Sequence, residues 1–221
     1  GEVCTRKDPE GRRTIFQSLP IPEQGRWVSV GRLDLNTSGL IILTTDGELA
    51  NRLMHPSHEM DREYAVRVLG EVTSDMMQAL RDGVMLEDGE AKFADIQESG
   101  GEGANKWYHV VIQEGRNREV RRLWESQGVQ VSRLMRVRYG PIIIPNNLRM
   151  GHWTKLEGSD LDYLYEQAGM KPVSKATSGR KQPAAKQERA KKTRPRKEFS
   201  TNKAEQKRDA EAAAPKRRPR I

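Results

Sequence analysis

The chain has 221 residues and a formal charge of +8, from 39 Lys and Arg against 31 Asp and Glu, and only 35% of it is hydrophobic. That excludes a membrane partner on sequence grounds: nothing approaches the ~20 consecutive apolar residues of a spanning helix, and the apolar run 40–43 ends at Thr44 and Thr45. One cysteine, Cys4, allows neither an internal disulfide nor a cysteine-based zinc site, so a reducing compartment such as the cytoplasm is expected.

The opening Gly1-Glu2-Val3 has no initiator Met and no secretory apolar core, and reads as the start of a fragment. Residues 27–33 read as a strand, followed by the polar loop Asn36-Thr37-Ser38-Gly39 and a second strand over 40–45. Asp46-Gly47 turns into a helix over 48–54, stopped by Pro56. Residues 63–68 alternate with period two, which puts Tyr64, Val66 and Val68 on one face of a third strand. Thr73 caps a helix that ends at Asp82-Gly83. Residues 92–97 and 107–113 read as strands joined by a glycine-rich hairpin turn at 99–103. Asn117 opens a helix with Val120, Leu123 and Trp124 as its apolar face, closed at Gly128; 131–139 is another strand and 161–168 a last amphipathic helix. Strands outnumber helices and follow one another in hairpins. This predicts an α+β domain over 1–169, a mixed, largely antiparallel sheet flanked by helices and loops.

The composition changes at Met170. Residues 171–221 hold 18 Lys and Arg against 5 Asp and Glu, a net +13, which leaves 21 against 26, a net −5, for the body. With Val173, Phe199 and Ile221 as the only larger apolar side chains of 171–221, a Lys/Arg-rich tail over 170–221 cannot offset its ordering entropy and is expected to be disordered. Its charge suits a sequence-indifferent arm on RNA phosphates. Inside the body, Arg116, Arg118, Arg121, Arg122, Arg133, Arg136 and Arg138 form a basic patch opposed only by Glu119 and Glu125. Arginine pairs bidentately with phosphate and carboxylate and stacks on bases.

Several chemistries find no support. Pro56 lies between His55 and His58, and His109 and His152 are distant, so no metal is expected. There is no phosphate-cradling glycine-lysine loop, no dinucleotide fingerprint and no nucleophile elbow. Carboxylates and arginines remain. Arg32 and Asp34 fall on one face at the end of an apolar strand. Asp34 either caps the turn that follows or is a carboxylate that needs a cationic partner. Arg121 borders the Val120/Trp124 face and points partly inward, whereas Arg118 and Arg122 belong to the polar face.

Taken in order, Gly31-Arg32-Leu33-Asp34 with Thr37-Ser38-Gly39-Leu40, then Thr45-Asp46-Gly47, Glu63-Tyr64-Ala65-Val66, and Glu114-Gly115-Arg116-Asn117-Arg118-Glu119-Val120-Arg121-Arg122 resemble the motifs of the bacterial ribosomal pseudouridine synthases. They cover nearly the whole body. Glu48-Leu49-Ala50-Asn51-Arg52-Leu53-Met54-His55-Pro56 and the basic tail resemble the members that act on large-subunit ribosomal RNA. The small N-terminal RNA-binding module usual in the family has no counterpart here.

The resemblance implies isomerisation of uridine to pseudouridine in 23S ribosomal RNA, in a stem-loop or an assembly intermediate, by a monomer that needs no cofactor. It makes Asp34 the catalytic aspartate, Arg121 the arginine that pairs with it, and Tyr64 the tyrosine that stacks on the base. Arg32, Arg116, Arg118 and Arg122 become RNA-contact candidates, with Arg32 also able to fill the gap left by a flipped base. Two other readings stay open: a non-catalytic ribosome-assembly factor that binds ribosomal RNA, and an N-ribosyl hydrolase that releases free base. Removal of 171–221 is expected to weaken RNA binding and flatten its dependence on salt, measured by titration at several salt concentrations; an unchanged slope would make the tail a solubiliser only.

Overall fold

The computed structural model describes residues 1–173, so the tail, after its first four residues, lies outside the described part. In chain order the elements are β1 (Val28–Val30), β2 (Ser38–Gly39), β3 (Ile42–Thr44), α1 (Gly47–Met54), β4 (Arg62–Leu69), α2 (Ser74–Asp82), β5 (Val84–Leu86), β6 (Gly89–Ala91), β7 (Asp95–Glu102), β8 (Asn105–Ile112), α3 (Glu119–Glu125), β9 (Gln130–Tyr139), β10 (Ile142–Ile143) and α4 (Gly158–Gln167). The main sheet runs β10-β9-β4-β8-β7, antiparallel throughout, and β2 joins it by a short parallel pairing with β9. The α+β, largely antiparallel architecture read from the sequence is the one observed.

The alternation in β4 works as expected. Val66 and Val68 are fully buried and Tyr64 is 8% exposed, in a core with Phe93, Leu123 and Trp124. The Trp124 ring lies 5.1 Å from that of Tyr108 and 5.9 Å from that of Phe93, so α3 is seated on the sheet by aromatic packing. Helices α1 and α2 start where their caps predict. Asp46 accepts from the backbone N–H groups of Glu48 and Leu49 at 2.9 and 3.1 Å, and Thr73 accepts from Met76. A second core joins Val30, Leu40, Leu49, Leu53, Tyr139 and Leu164, tying β1, α1 and α4 to the end of β9.

Four local expectations are corrected. The strand expected over 27–33 stops at Val30, because Gly31 turns the chain at φ 76; Arg32 and Asp34 therefore sit on a loop and not on a strand face. The strand expected over 40–45 contains only Ile42–Thr44, since the Leu40 N–H is taken by the Arg136 carbonyl. The turn at 99–103 is instead ladder: β7 continues through a bulge between Glu98 and Gly101 and reverses only at Gly103-Ala104. Asn117 does not open α3, which begins at Glu119 behind Arg118. The hairpin β5–β6 was not expected at all.

The contact between β2 and β9 leaves no room for a side chain at Gly39. A Cβ at Gly39 would sit 2.2 Å from the Arg136 carbonyl oxygen, and Gly39 has φ 103. Gly39→Ala is expected to lower stability by about 3 kcal/mol or more, through strain and backbone overlap together, seen as a drop in the urea midpoint.

Candidate active site

Asp34 owes its position to the loop between β1 and β2. Gly31 turns the chain out of the sheet, the Asp34 carbonyl accepts from the Thr37 N–H at 2.9 Å, and the Leu33 N–H donates to Cys4 Sγ at 3.4 Å. Only the backbone of Asp34 closes the turn. Its side chain is half-buried, with no hydrogen bond or ion pair among the described residues, and it lines a cleft of about 470 Å³ together with Cys4, Asp8, Arg12, Arg32 and Arg118. Another cavity, about 360 Å³ beside His58, Asp61, Arg138 and Tyr163, contains none of the sequence-predicted site residues.

Arg121 is the inward-pointing arginine, 5% exposed, but it makes no ion pair with Asp34. Its Nη2 donates to the Asn36 carbonyl and its Nη1 to the Val131 carbonyl, both at 2.9 Å. The expected pairing is replaced by two carbonyl contacts, because the guanidinium lies between the Asp34 loop and the start of β9. Burial and the charge of Arg118 lower its pKa from the ordinary arginine value, and the nearby charges of Asp34 and Glu125 act in the opposite direction. Asp34 thus acts on Arg121 through space.

The four RNA-contact candidates separate into two pairs. Arg32 and Arg118 are exposed, line the cleft and form no ion pair among the described residues. Arg118 also has a left-handed backbone, φ 49, uncommon for any residue but glycine. Arg122 is held by both oxygens of Asp88 at 2.7 and 2.8 Å, and Arg116 by Glu114 at 2.6 Å and more loosely by Asp88. These two face the β5–β6 turn, and the Arg122 guanidinium keeps the Asp88 carboxyl below the ordinary aspartate range. The basic patch is therefore not one surface: Arg138 is likewise bound to Glu63, at 2.8 Å, and Arg136 is buried.

Tyr64 is not a wall of the cleft. In the strand register it lies opposite Arg136, which in turn lies opposite Gly39, so β9 stands between β4, which carries Tyr64, and β2. Its ring belongs to the core beside Val66. Sequence reasoning missed the segment that forms the other wall. Asp8 accepts from Arg12 Nε and Nη2 at 3.1 and 2.8 Å and from the Arg12 N–H at 2.8 Å, and these side-chain and backbone contacts lower its pKa. The Asp8-Pro9-Glu10-Gly11 spacing, with Gly11 at φ 70, is a turn signal that could have located it.

A model of the RNA pseudouridylate synthase family matches residues 1–126, and the chain belongs to that family. Ribosomal large subunit pseudouridine synthase B of Pseudomonas aeruginosa is 65% identical over 175 residues, 79% of this chain and 45% of that protein. The protein of the same name from Escherichia coli K12 is 60% identical over 172 residues, 78% of this chain and 59% of that protein. The chain thus spans about half the length of these relatives. Among solved structures, a crystal structure of a pseudouridylate synthase superposes with a TM-score of 0.65 at 29% identity, covering 74% of this chain and 69% of that one.

Glu119, at the start of α3, is 3% exposed and accepts from the Arg116 N–H at 3.0 Å. Burial outweighs that hydrogen bond and raises its pKa. The folded state then favours the protonated acid, so the charge costs nothing at low pH and destabilises increasingly as pH rises through the ordinary glutamate range. Glu119→Gln, which keeps the acceptor, is expected to raise the melting temperature at neutral pH and to leave it unchanged in acid, measured across a pH series.

Proposed function

We propose that this chain isomerises uridine to pseudouridine in large-subunit ribosomal RNA, as a monomer in the cytoplasm, with residues 1–169 carrying the chemistry and 170–221 acting as a basic arm. The observation that carries this reading is the Asp34 carboxylate in a cleft flanked by Arg32 and Arg118, none of the three forming an ion pair among the described residues. The reaction breaks the bond from uracil N1 to ribose C1′, turns the base and joins C5 to C1′; the C5 proton is lost and N1 regains one. It leaves the redox state unchanged, so acid–base and nucleophilic groups suffice.

Asp34 acts at the sugar, either by adding to C1′ or by taking the C2′ proton in a glycal-type route, the second being favoured by resemblance to the family. Arg121 holds the Asp34 loop through Asn36 and contributes a positive charge nearby. Arg32 and Arg118 take phosphates beside the extruded nucleotide. Tyr64 supplies a stacking surface, which requires its ring to be uncovered from the 8% it now exposes. Arg116 and Arg122 are assigned to the scaffold, since binding phosphate would cost them their contacts with Glu114 and Asp88.

Asp34→Asn is expected to abolish pseudouridine formation while leaving RNA affinity within about threefold, because it removes a reacting group and not a phosphate contact. Alongside it, Arg32→Gln and Arg118→Gln should each weaken binding and lower the salt slope by about one. Turnover by Asp34→Asn would place the chemistry elsewhere, binding without any pseudouridine formation by the unaltered chain would show a binding factor, and free uracil among the products would indicate a hydrolase.

A further inference from the structure

The segment 36–40, which follows Asp34, is fastened to the rest of the protein at both ends by buried guanidinium groups that have no ion pair among the described residues. Arg121 holds the first end through the Asn36 carbonyl. Arg136 holds the second: its Nε donates to the Leu40 carbonyl at 2.8 Å, and its own carbonyl accepts from the Leu40 N–H at 2.8 Å. Arg136 is 2% exposed. Its guanidinium lies 5.2 Å from the Tyr139 ring centroid, with Arg62 stacked on the same ring at 5.1 Å, and its Nη2 is buried without a hydrogen bond.

This is a poor arrangement for folding alone. A buried arginine without a counter-ion and with an unsatisfied N–H group costs stability, and an apolar side chain of similar length would fill the space without that cost. What Arg136 does provide is a directed bond to Leu40 from the residue that stands between Gly39 on β2 and Tyr64 on β4. We infer that Arg136 is a positioning residue for the reaction at Asp34, fixing the far end of the 36–40 segment so that the Asp34 loop and Tyr64 keep a defined relation across β9. The inference rests on the proposed function for its chemistry, and on the Leu40 contact for its geometry.

The test compares Arg136→Met and Arg136→Lys with the unaltered 221-residue chain, reading melting temperature, amide hydrogen exchange over 36–40, and steady-state pseudouridine formation. Arg136→Met should melt at or above the wild-type temperature, exchange faster at Leu40, and lose about 10- to 100-fold in kcat with KM within about threefold, as expected for misplacement of a reacting group. Arg136→Lys, which keeps one donor for the Leu40 carbonyl, should recover part of kcat. A kcat for Arg136→Met within about twofold of wild type overturns the inference, as does a fall in kcat that only follows loss of folded protein. An inert wild-type chain overturns the proposed function instead; unchanged exchange at Leu40 in Arg136→Met would then remove the anchor as well.

Discussion

The approach of two backbones, Gly39 against Arg136, is the constraint on which the rest of the site depends. Only a residue without a Cβ lets β2 lie parallel to β9 at this distance, and that pairing turns a surface connection into part of the sheet. With one end of the connection in the sheet and the other turned out at Gly31, the few residues between them have little freedom. Asp34 lies in that span. A side chain on a short loop whose two ends are fixed by backbone geometry is held in place by them, while its carboxylate stays open to the cleft.

Charge is distributed with the same division of labour. The arginines of the 115–139 stretch do three different things, decided by what each finds in space. Arg116, Arg122 and Arg138 find carboxylates and become fasteners for the β5–β6 turn and the β4–β9 pairing. Arg121 and Arg136 find carbonyls and become supports for the loop. Arg118 finds neither and, with Arg32, remains available to a ligand. A net charge counted along the chain adds these roles together, although only the last adds an uncompensated charge at the cleft.

What could be read in advance follows from the range of the forces involved. The period-two alternation of 63–68 and the caps at Asp46 and Thr73 are local, and β4, α1 and α2 appeared where these placed them. Hairpin β5–β6 was not legible, because strands of three residues are too short to show a period. Nor was the role of Gly31, since a strand pattern does not reveal where a single positive φ ends it. Asp34 was singled out by its motif, and it lies in a cleft beside Arg32 and Arg118; the partners of Arg121 and Arg122, and Asp88 as a partner of Arg116, come from segments ten to eighty-five positions away, and no local pattern encodes them. Tyr64 shows the same limit from the other side: its motif suggested a site residue and its alternation a core residue, and the packing follows the alternation.

Arg118 carries a further consequence. Its left-handed backbone is one that glycine adopts without strain, whereas its side chain is, among the described residues, one of two cations at the cleft without an ion pair. The change that the backbone would favour most is therefore the one the cleft can least accept. At such a position the backbone and the cleft favour different residues, and the arginine present is the one that supplies the cleft with charge.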